Sequence, residues 1–239
     1  MCLLIQSKPH GETAMAERSV LKMGNSNRFE VRYFNPETDL EAAYRCYVSG
    51  FYRGMWPLVD HAEPRLLKDF ILLAVRISDA AFVAVADGEA RGVLTGYFPN
   101  ALSQIRAASL MSGFALKVAL HRYEMRPFAR AAWWRVSLGN LSVLIREPRS
   151  PAEITMLNSQ EEYRGGIGRA LVDAWVDEVR SRGFEKCTVV TDTTVNWKFY
   201  ENYGFERIRD IAVKTFDYAL PGEDSRAFVY SLAIQQSER

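Results

Sequence analysis

The chain has 239 residues, 48% hydrophobic and 25% charged, which is typical of a globular protein with one large domain or two small ones. Its formal net charge of +1 provides no overall field to attract nucleic acid or an anionic membrane, so we expect neither as a partner. Three cysteines without a C-x-x-C pair and three scattered histidines predict no metal site and no disulfide framework, and the reducing cytoplasm is the expected compartment.

The first part of the chain alternates strands and helices. Residues 1–27 are rich in small and polar residues, which predicts a flexible tail in front of a single domain over 28–239. Apolar periodicity then predicts a strand over 29–34, helices over 40–49 and 64–78, and hairpin strands over 81–86 and 91–98. The dipeptide Asp87-Gly88 between the last two alternating runs is a strong hairpin signal.

A long connection of helical character follows, over 99–139. Its apolar residues repeat at helical spacing on both sides of Pro127, which predicts two helices separated at that proline. The apolar side chains on these helices either pack as core or lid or face a substrate, and the sequence leaves both interpretations open. Residues 140–145 are predicted to form a short strand.

The stretch over 153–183 predicts a strand, a glycine-rich turn and a helix. Apolar and β-branched residues over 154–157 suit the strand, and the turn over 163–168 contains three glycines. Four apolar residues mark one face of the following helix: Val172, Trp175, Val176 and Val179. Gly183 stands where a helix usually ends.

The glycine-rich turn at the start of this helix is suited to binding a phosphate. The first turn of a helix has unpaired backbone N–H groups and a partial positive charge, and glycines let a ligand approach the backbone closely. Alternatively, the glycines only solve a packing problem. No Lys-Ser or Lys-Thr follows Gly168, so this is not a P-loop, and Leu171 stands where a dinucleotide fingerprint needs its third glycine.

The remainder of the chain completes the sheet. Residues 186–192 predict a buried strand parallel to the central one, because strand, helix and strand follow each other with short links. A short helix ends at Gly204, Phe205 leads into another strand, and a last strand covers 228–234.

Two motifs in this half resemble the GNAT superfamily of N-acetyltransferases. Gly166 and Gly168 match the superfamily pattern [QR]-x-x-G-x-[GA], although Tyr163 stands at the Gln/Arg position. Further along, Phe199-Tyr200 followed by Gly204-Phe205 resembles the C-terminal signature of the same superfamily. The resemblance covers roughly 29–234, and the insertion matches nothing in the pattern.

The resemblance implies an α/β fold in which a mostly antiparallel mixed sheet has a central parallel strand pair splayed for acyl-CoA, with flanking helices and a helical insertion. The co-substrate would be acetyl-CoA, without a metal. The implied cofactor-binding residues are Leu157, Asn158 and Ser159 for the pantetheine arm, Arg164, Gly165, Gly166, Ile167, Gly168 and Arg169 for the pyrophosphate, and Asn196. Asn196 either contacts the cofactor or caps the adjoining helix.

The implied chemistry needs a base for the amine and an acid for the departing CoA thiolate. Tyr200 is the residue that matches the acid of the superfamily. For the base, Glu153 resembles the base-bearing Ala-Glu-Ile strand of histone acetyltransferases, and apolar neighbours would raise its pKa by desolvation. Alternatively, Glu153 forms an ion pair with Arg146 or Arg149 and has no catalytic role. The base would then be Asp192 or a water molecule.

The expected acceptor is a primary amine of a small molecule, attacked directly in a ternary complex. No concentrated acidic run suggests a groove for histone-like tails, and Trp133, Trp134 and the aromatic segment over 52–56 suit an acceptor with an apolar or cationic part. Alternatives are a protein-lysine or N-terminal acetyltransferase, an acyl-CoA sensor without turnover, and an unrelated nucleotide-binding protein. Apolar residues exposed on the long helices would allow a homodimer.

Overall fold

The computed structural model describes residues 29–50, 63–146, 150–163, 165–193, 195–213 and 226–235, so the predicted tail over 1–27 lies outside the described residues. The helices are α1 Pro36–Gly50, α2 Pro64–Ile77, α3 Ala101–Ala119, α4 Pro127–Arg146, α5 Ile167–Ser181 and α6 Lys198–Tyr203. The strands are β1 Glu30–Tyr33, β2 Ala80–Ala86, β3 Glu89–Tyr97, β4 Glu153–Ser159, β5 Lys186–Asp192, β6 Glu206–Ala212 and β7 Arg226–Ala233.

The seven described strands form one mixed sheet in the order β1-β2-β3-β4-β5-β7-β6. Every neighbouring pair is antiparallel except β4 and β5, which are parallel and are joined by α5. The helical connection is what a parallel pair requires, because a tight turn cannot bring the chain back to the start of the sheet. The predicted fold class is confirmed.

Helices cover both faces of the sheet around β3 and β4. On one face, α5 buries Trp175 and Leu171 against Leu94 of β3 and Ile154 of β4. A Cβ at Gly96 would lie 2.1 Å from the Trp175 ring, so glycine is required for this close approach of helix and strand.

On the other face, α1 and α2 pack over the same two strands. Cys46 of α1 and Ile71 of α2 contact Val93 of β3 and Met156 of β4 in a second apolar cluster. The centre of the sheet is therefore covered on both faces.

The predicted hairpin turn is present in the structure, whereas the first helix is longer than predicted. Asp87 and Gly88 both have positive φ, 53° and 78°, as the predicted two-residue turn requires. Helix α1 begins at Pro36, four residues before its predicted start. The Asn35 side chain accepts a hydrogen bond from the Glu37 amide at 3.0 Å, and residues 36–39, which lie outside the predicted helix, form its first turn.

The insertion forms the two predicted helices, with α4 beginning at Pro127. Both pack onto α2 through a cluster that contains Phe114 and Ala129 of the insertion and Leu66 of α2. The predicted strand over 140–145 is wrong, because α4 continues to Arg146. A short apolar run does not by itself distinguish a strand from a helix, and here the helix that precedes it continues through it.

Trp133 and Trp134 are part of the same cluster. They are half-buried, and Trp133 lies 5.9 Å from the Phe114 ring and 4.8 Å from Trp134, measured between ring centroids. Packing within the insertion accounts for both indoles, so they no longer favour any particular acceptor. The aromatic segment over 52–56 lies outside the described residues.

Candidate active site

The parallel strands β4 and β5 separate soon after they begin. They pair only at Glu153 with Thr188 and at Ile154 with Val189, whereas β4 stays paired with β3 along its full length. From Thr155 onward, the β5-facing edge of β4 has no strand partner among the described residues. This edge presents backbone N–H and C=O groups to a V-shaped opening, where a ligand can bind in place of a neighbouring strand.

A β-bulge in β4 lies where the opening begins. Thr95 of β3 pairs with Met156 and the next residue, Gly96, pairs with Ile154, so Thr155 is the extra residue. The Thr155 hydroxyl lies 2.7 Å from the Thr95 hydroxyl and donates to the Thr95 carbonyl at 3.1 Å. Ile154 and Met156 consequently belong to clusters on opposite faces of the sheet, and the bulge turns β4 away from β5.

The three β4 residues predicted to bind pantetheine all lie in the separated part of the strand. Leu157 packs against the α5 cluster, and Ser159 is half-buried opposite Gly92 of β3. Asn158 is buried and pairs with Val93, which places its side chain on the face covered by α1. The backbone of Asn158 therefore lies along the free edge of β4, while its side chain points to the face of the sheet that α1 covers.

Helix α5 begins beside the open end of β4. Gly166 is its N-cap with φ of 109°, a conformation that a side chain would strain, and no side chain caps the helix. A 15-residue helix with an uncapped first turn presents unpaired amides and the positive end of its dipole. Gly165 is exposed and a Cβ there would meet nothing within 4 Å, so the approach to these amides is open.

Packing accounts for one of the motif glycines. A Cβ at Gly168 would lie 3.2 Å from the Phe199 ring, so this glycine lets α5 and α6 approach each other. Arg169 lies over the Tyr203 ring at 4.9 Å and donates to the Asn202 carbonyl, which holds this arginine beside the same helix pair. Ile167, between Gly166 and Gly168 in the motif, is fully buried and anchors the turn.

The departure from the superfamily pattern at Tyr163 has a structural consequence. Its hydroxyl donates to Asp87 at 2.7 Å, and this hydrogen bond raises the pKa of Tyr163. The Arg91 guanidinium lies 4.9 Å above the ring. Tyr163 therefore ties the turn to the β2–β3 hairpin instead of facing the opening, while Arg164, its neighbour, lies outside the described residues.

Tyr200 is buried in α6 among aromatic rings. Its ring centroid lies 5.6 Å from Phe205 and 5.9 Å from Tyr230. Burial raises the pKa of Tyr200, so its hydroxyl stays protonated well above neutral pH. Tyr200 is therefore in the protonated form that an acid needs, although its raised pKa makes it a weaker acid than an ordinary tyrosine.

The two candidate carboxylates lie at opposite ends of the opening. Glu153 is half-buried at the closed end, between Tyr97 of β3 and Thr188 of β5. Asp192 is the last residue of β5, four residues further toward the open end. The side chains of Arg146 and Arg149, the alternative partners of Glu153, lie outside the described residues.

Asn196 lies exposed just before α6. The N-cap of this helix is Trp197, and no side chain forms a capping hydrogen bond. The interpretation of Asn196 as the cap is therefore wrong, which leaves its predicted contact with the cofactor as the remaining interpretation.

The structure adds a role for the side chain of Asn158, a residue that the sequence predicted only as part of the pantetheine-binding strand. The Asn158 side-chain amide is buried, with 7% of the residue exposed, and its Nδ2 atom has no hydrogen-bond partner within the described part of the chain. Leaving a buried donor unpaired is costly, and this one lies on a strand beside the opening, which makes it a candidate contact for a ligand. No periodicity or motif in the sequence predicts that the side-chain amide of Asn158 is buried without a partner.

Other chemistries have little support in the described residues. Burial raises the pKa of Cys46 and of Cys187 to about 12, so neither thiol is a ready nucleophile near neutral pH. No group of three His, Cys, Asp or Glu side chains in the described ranges is arranged to hold a metal ion. No helix there is long and apolar enough to cross a membrane.

A sheet that opens between parallel strands, beside an uncapped glycine-rich helix start, is an arrangement suited to a long ligand that ends in phosphates. Residues 40–205 match the model of the Acetyltransferase (GNAT) family, and the chain belongs to this family. Its members use acetyl-CoA as the acyl donor. The predicted resemblance is confirmed. No curated protein matches this sequence closely enough to count as a relative.

Solved structures show the same fold at low sequence identity. The smu.2055 protein from Streptococcus mutans UA159 has a TM-score of 0.53 at 17% identity, over 86% of this chain and 99% of that one. An N-acetyltransferase from Staphylococcus aureus Mu50 has a TM-score of 0.51 at 13% identity, over 87% and 99%. An agmatine N-acetyltransferase mutant has a TM-score of 0.53 at 12% identity, over 87% and 100%.

Proposed function

We propose that this protein is an N-acetyltransferase that transfers the acetyl group of acetyl-CoA to a primary amine of a small molecule. The observation that carries the proposal is the separation of β4 from β5 after Ile154, directly beside the uncapped start of α5. The pantetheine arm carries amide groups that match the free backbone edge of β4 at 157–159, and the pyrophosphate matches the amides of the turn over 165–169. Arg164, Arg169 and Asn196 complete the proposed contacts.

The transfer proceeds by direct attack in a ternary complex. The amine nitrogen forms a bond to the acetyl carbon, the carbon–sulfur bond breaks, and CoA leaves as a thiolate. Glu153 accepts the proton that the amine loses, and Tyr200 donates a proton to the thiolate. Backbone amides along the free edge of β4 stabilise the oxyanion that forms between these two steps.

The sequence supports a small-molecule acceptor over a basic protein tail. The sequence has no concentrated acidic run of the kind that would attract a basic protein tail. The unpaired Asn158 amide faces the α1 side of the sheet, away from α5, so we assign it to the acceptor, where it donates to an oxygen atom.

The proposal is tested by calorimetric titration with acetyl-CoA, CoA, ATP and NADH, followed by an amine screen that detects CoA thiol release. We expect acetyl-CoA and CoA to bind and to raise the melting temperature, because a ligand of the folded state stabilises it. Binding of ATP or NADH without CoA would contradict the proposal. Binding of CoA with no turnover over a broad panel of amines would instead support an acyl-CoA sensor.

Replacing Glu153 with Gln tests the base. If Glu153 accepts the amine proton, kcat should fall by about 100-fold or more, since general-base catalysis contributes on that scale. The affinity for acetyl-CoA should not change, because the proposed cofactor contacts begin at Leu157. The matched control is Glu185→Gln, which removes an exposed carboxylate directly before β5. This variant should have wild-type kcat. An unchanged kcat in Glu153→Gln would assign proton removal to water or Asp192.

Replacing Asn158 with Leu, a residue of similar volume, tests the acceptor contact. The free energy of unfolding should stay the same or rise, because the change removes a buried donor that has no partner. The KM for the acceptor should rise by about tenfold, the loss of one good hydrogen bond, while the KM for acetyl-CoA stays unchanged. A raised KM for acetyl-CoA with an unchanged KM for the acceptor would place the amide on the cofactor instead.

A further inference from the structure

The insertion formed by α3, α4 and the turn between them concentrates exposed apolar side chains. Seven of the eight exposed large hydrophobic residues in the described ranges lie there, and Ile208 is the eighth. The seven are Leu102, Ile105, Met111, Leu116, Leu120, Phe128 and Leu138. The fold of the domain therefore leaves one region with a surface that water solvates poorly.

Three of these residues, all on α3, form an outward face distinct from the face that packs onto α2. On α3, Leu102, Ile105 and Leu116 follow helical spacing on one side, and the buried Phe114 and Val118 lie on the other. Helix α3 is thus apolar on two sides. A helix of this kind needs a second apolar partner in addition to the one it already contacts.

Charge is segregated in the same region. Residues 101–146 contain seven Lys or Arg and a single Glu, a net charge of +6, so the rest of the chain carries −5. Arg122, Arg126 and Arg135 are exposed, and none of them has a side-chain ion pair within the described part of the chain. The overall net charge of +1, from which no membrane partner was expected, conceals this asymmetry.

We propose that this basic–apolar surface docks the protein on an anionic lipid membrane. Leucine and phenylalanine side chains enter the boundary between headgroups and acyl chains, and the three unpaired arginines bind lipid phosphates. Since no described helix can cross a bilayer, the insertion lies on the surface instead of spanning it. A second copy of the chain fits less well, because two such faces would bring like charges together.

Sedimentation with lipid vesicles tests the proposal on the full-length protein. We expect binding to vesicles of phosphatidylcholine mixed with phosphatidylglycerol, weaker binding in high salt, and little binding to phosphatidylcholine alone. Combining Arg122→Gln, Arg126→Gln and Arg135→Gln should weaken partitioning by roughly fivefold for each removed charge. Combining Leu116→Ser, Leu120→Ser and Phe128→Ser should abolish it, with CoA binding retained as proof of folding.

The matched control is Lys186→Glu with Ile208→Ser. These two residues are also an exposed cation and an exposed apolar side chain, but they line a groove at the start of β5, away from the insertion. This control should bind vesicles like the wild type. Equal binding to both kinds of vesicle, or no binding to either, would overturn the proposal. So would a dimer, detected by light scattering, that Leu116→Ser disrupts, because the second copy would then occupy this face.

Discussion

Replacing Tyr200 with Phe should lower kcat by about 100-fold or more while leaving the fold and the affinity for acetyl-CoA nearly unchanged. Tyr200 is held through its ring, which packs against Phe205 and Tyr230, and phenylalanine keeps those contacts. What is lost is the hydroxyl that we assign as the proton donor to the CoA thiolate. The effect should therefore appear in kcat, measured by thiol release, and not in the KM for acetyl-CoA.

The pH dependence gives a second readout for Tyr200. Burial raises its pKa, so the hydroxyl is protonated throughout the neutral and mildly alkaline range. The wild-type rate should thus show no loss through the ordinary tyrosine titration near pH 10. In Tyr200→Phe, water must protonate the thiolate, and the rate should rise with acyl donors whose leaving thiols are less basic.

Tyr203→Phe is the matched control from the same helix. The Tyr203 hydroxyl donates to Asp173 of α5 at 2.6 Å, so removing it costs one hydrogen bond between two helices. We expect a loss of about 1 kcal/mol in the free energy of unfolding and a kcat close to the wild type. Wild-type kcat in Tyr200→Phe, or an equal loss of kcat in both variants, would refute the assignment of Tyr200 as the acid.

The sequence predicted those parts of the fold in which local pattern and tertiary packing agree. In α5, the apolar stripe through Val172 and Trp175 is buried as predicted, because a helix beside a sheet has one face to bury. The hairpin at Asp87 was predictable for a similar reason, since few residues tolerate its positive φ. The order of strand, turn and helix then placed the two motifs at one end of the sheet.

Prediction failed where a distant contact decides between local alternatives. Helix α4 continues through residues 140–145 although their composition also suits a strand. The bulge at Thr155 depends on the register with Thr95, sixty residues earlier, and no local pattern records that register. Tyr163 could be identified as a departure from the motif, but its partner Asp87 lies in another hairpin.

In the candidate site, too, some residues could be predicted from local pattern and others could not. Residues proposed to act through the backbone, such as Gly166, could be predicted from the glycine motif, because a turn of fixed shape needs glycine at fixed positions. A residue that acts through a side chain depends on which face of the strand it occupies. Asn158 was predicted for its backbone, and only the register with Val93 shows that its amide faces the opposite side.

Replacing Gly165 with Asp should raise the Kd for acetyl-CoA by at least about tenfold without destabilising the fold. Gly165 has no positive φ, and a Cβ there meets nothing within 4 Å, so a side chain is accommodated. A carboxylate near the first turn of α5 would compete with the CoA phosphates for the same amides and would repel them. Two charges about 5 Å apart interact by roughly 3 kcal/mol at an effective dielectric constant of 20, before screening by salt.

Two further variants separate charge from bulk and from position. Gly165→Asn has the same size without the charge, so it should weaken binding less, and the difference from Asp should shrink in high salt. Gly113→Asp places the same carboxylate at another exposed glycine with open space around it, on α3, and should leave the affinity unchanged. If calorimetry finds wild-type affinity in Gly165→Asp, the pyrophosphate does not bind at this turn, and the glycines serve only the packing of α5 that Gly168 already illustrates.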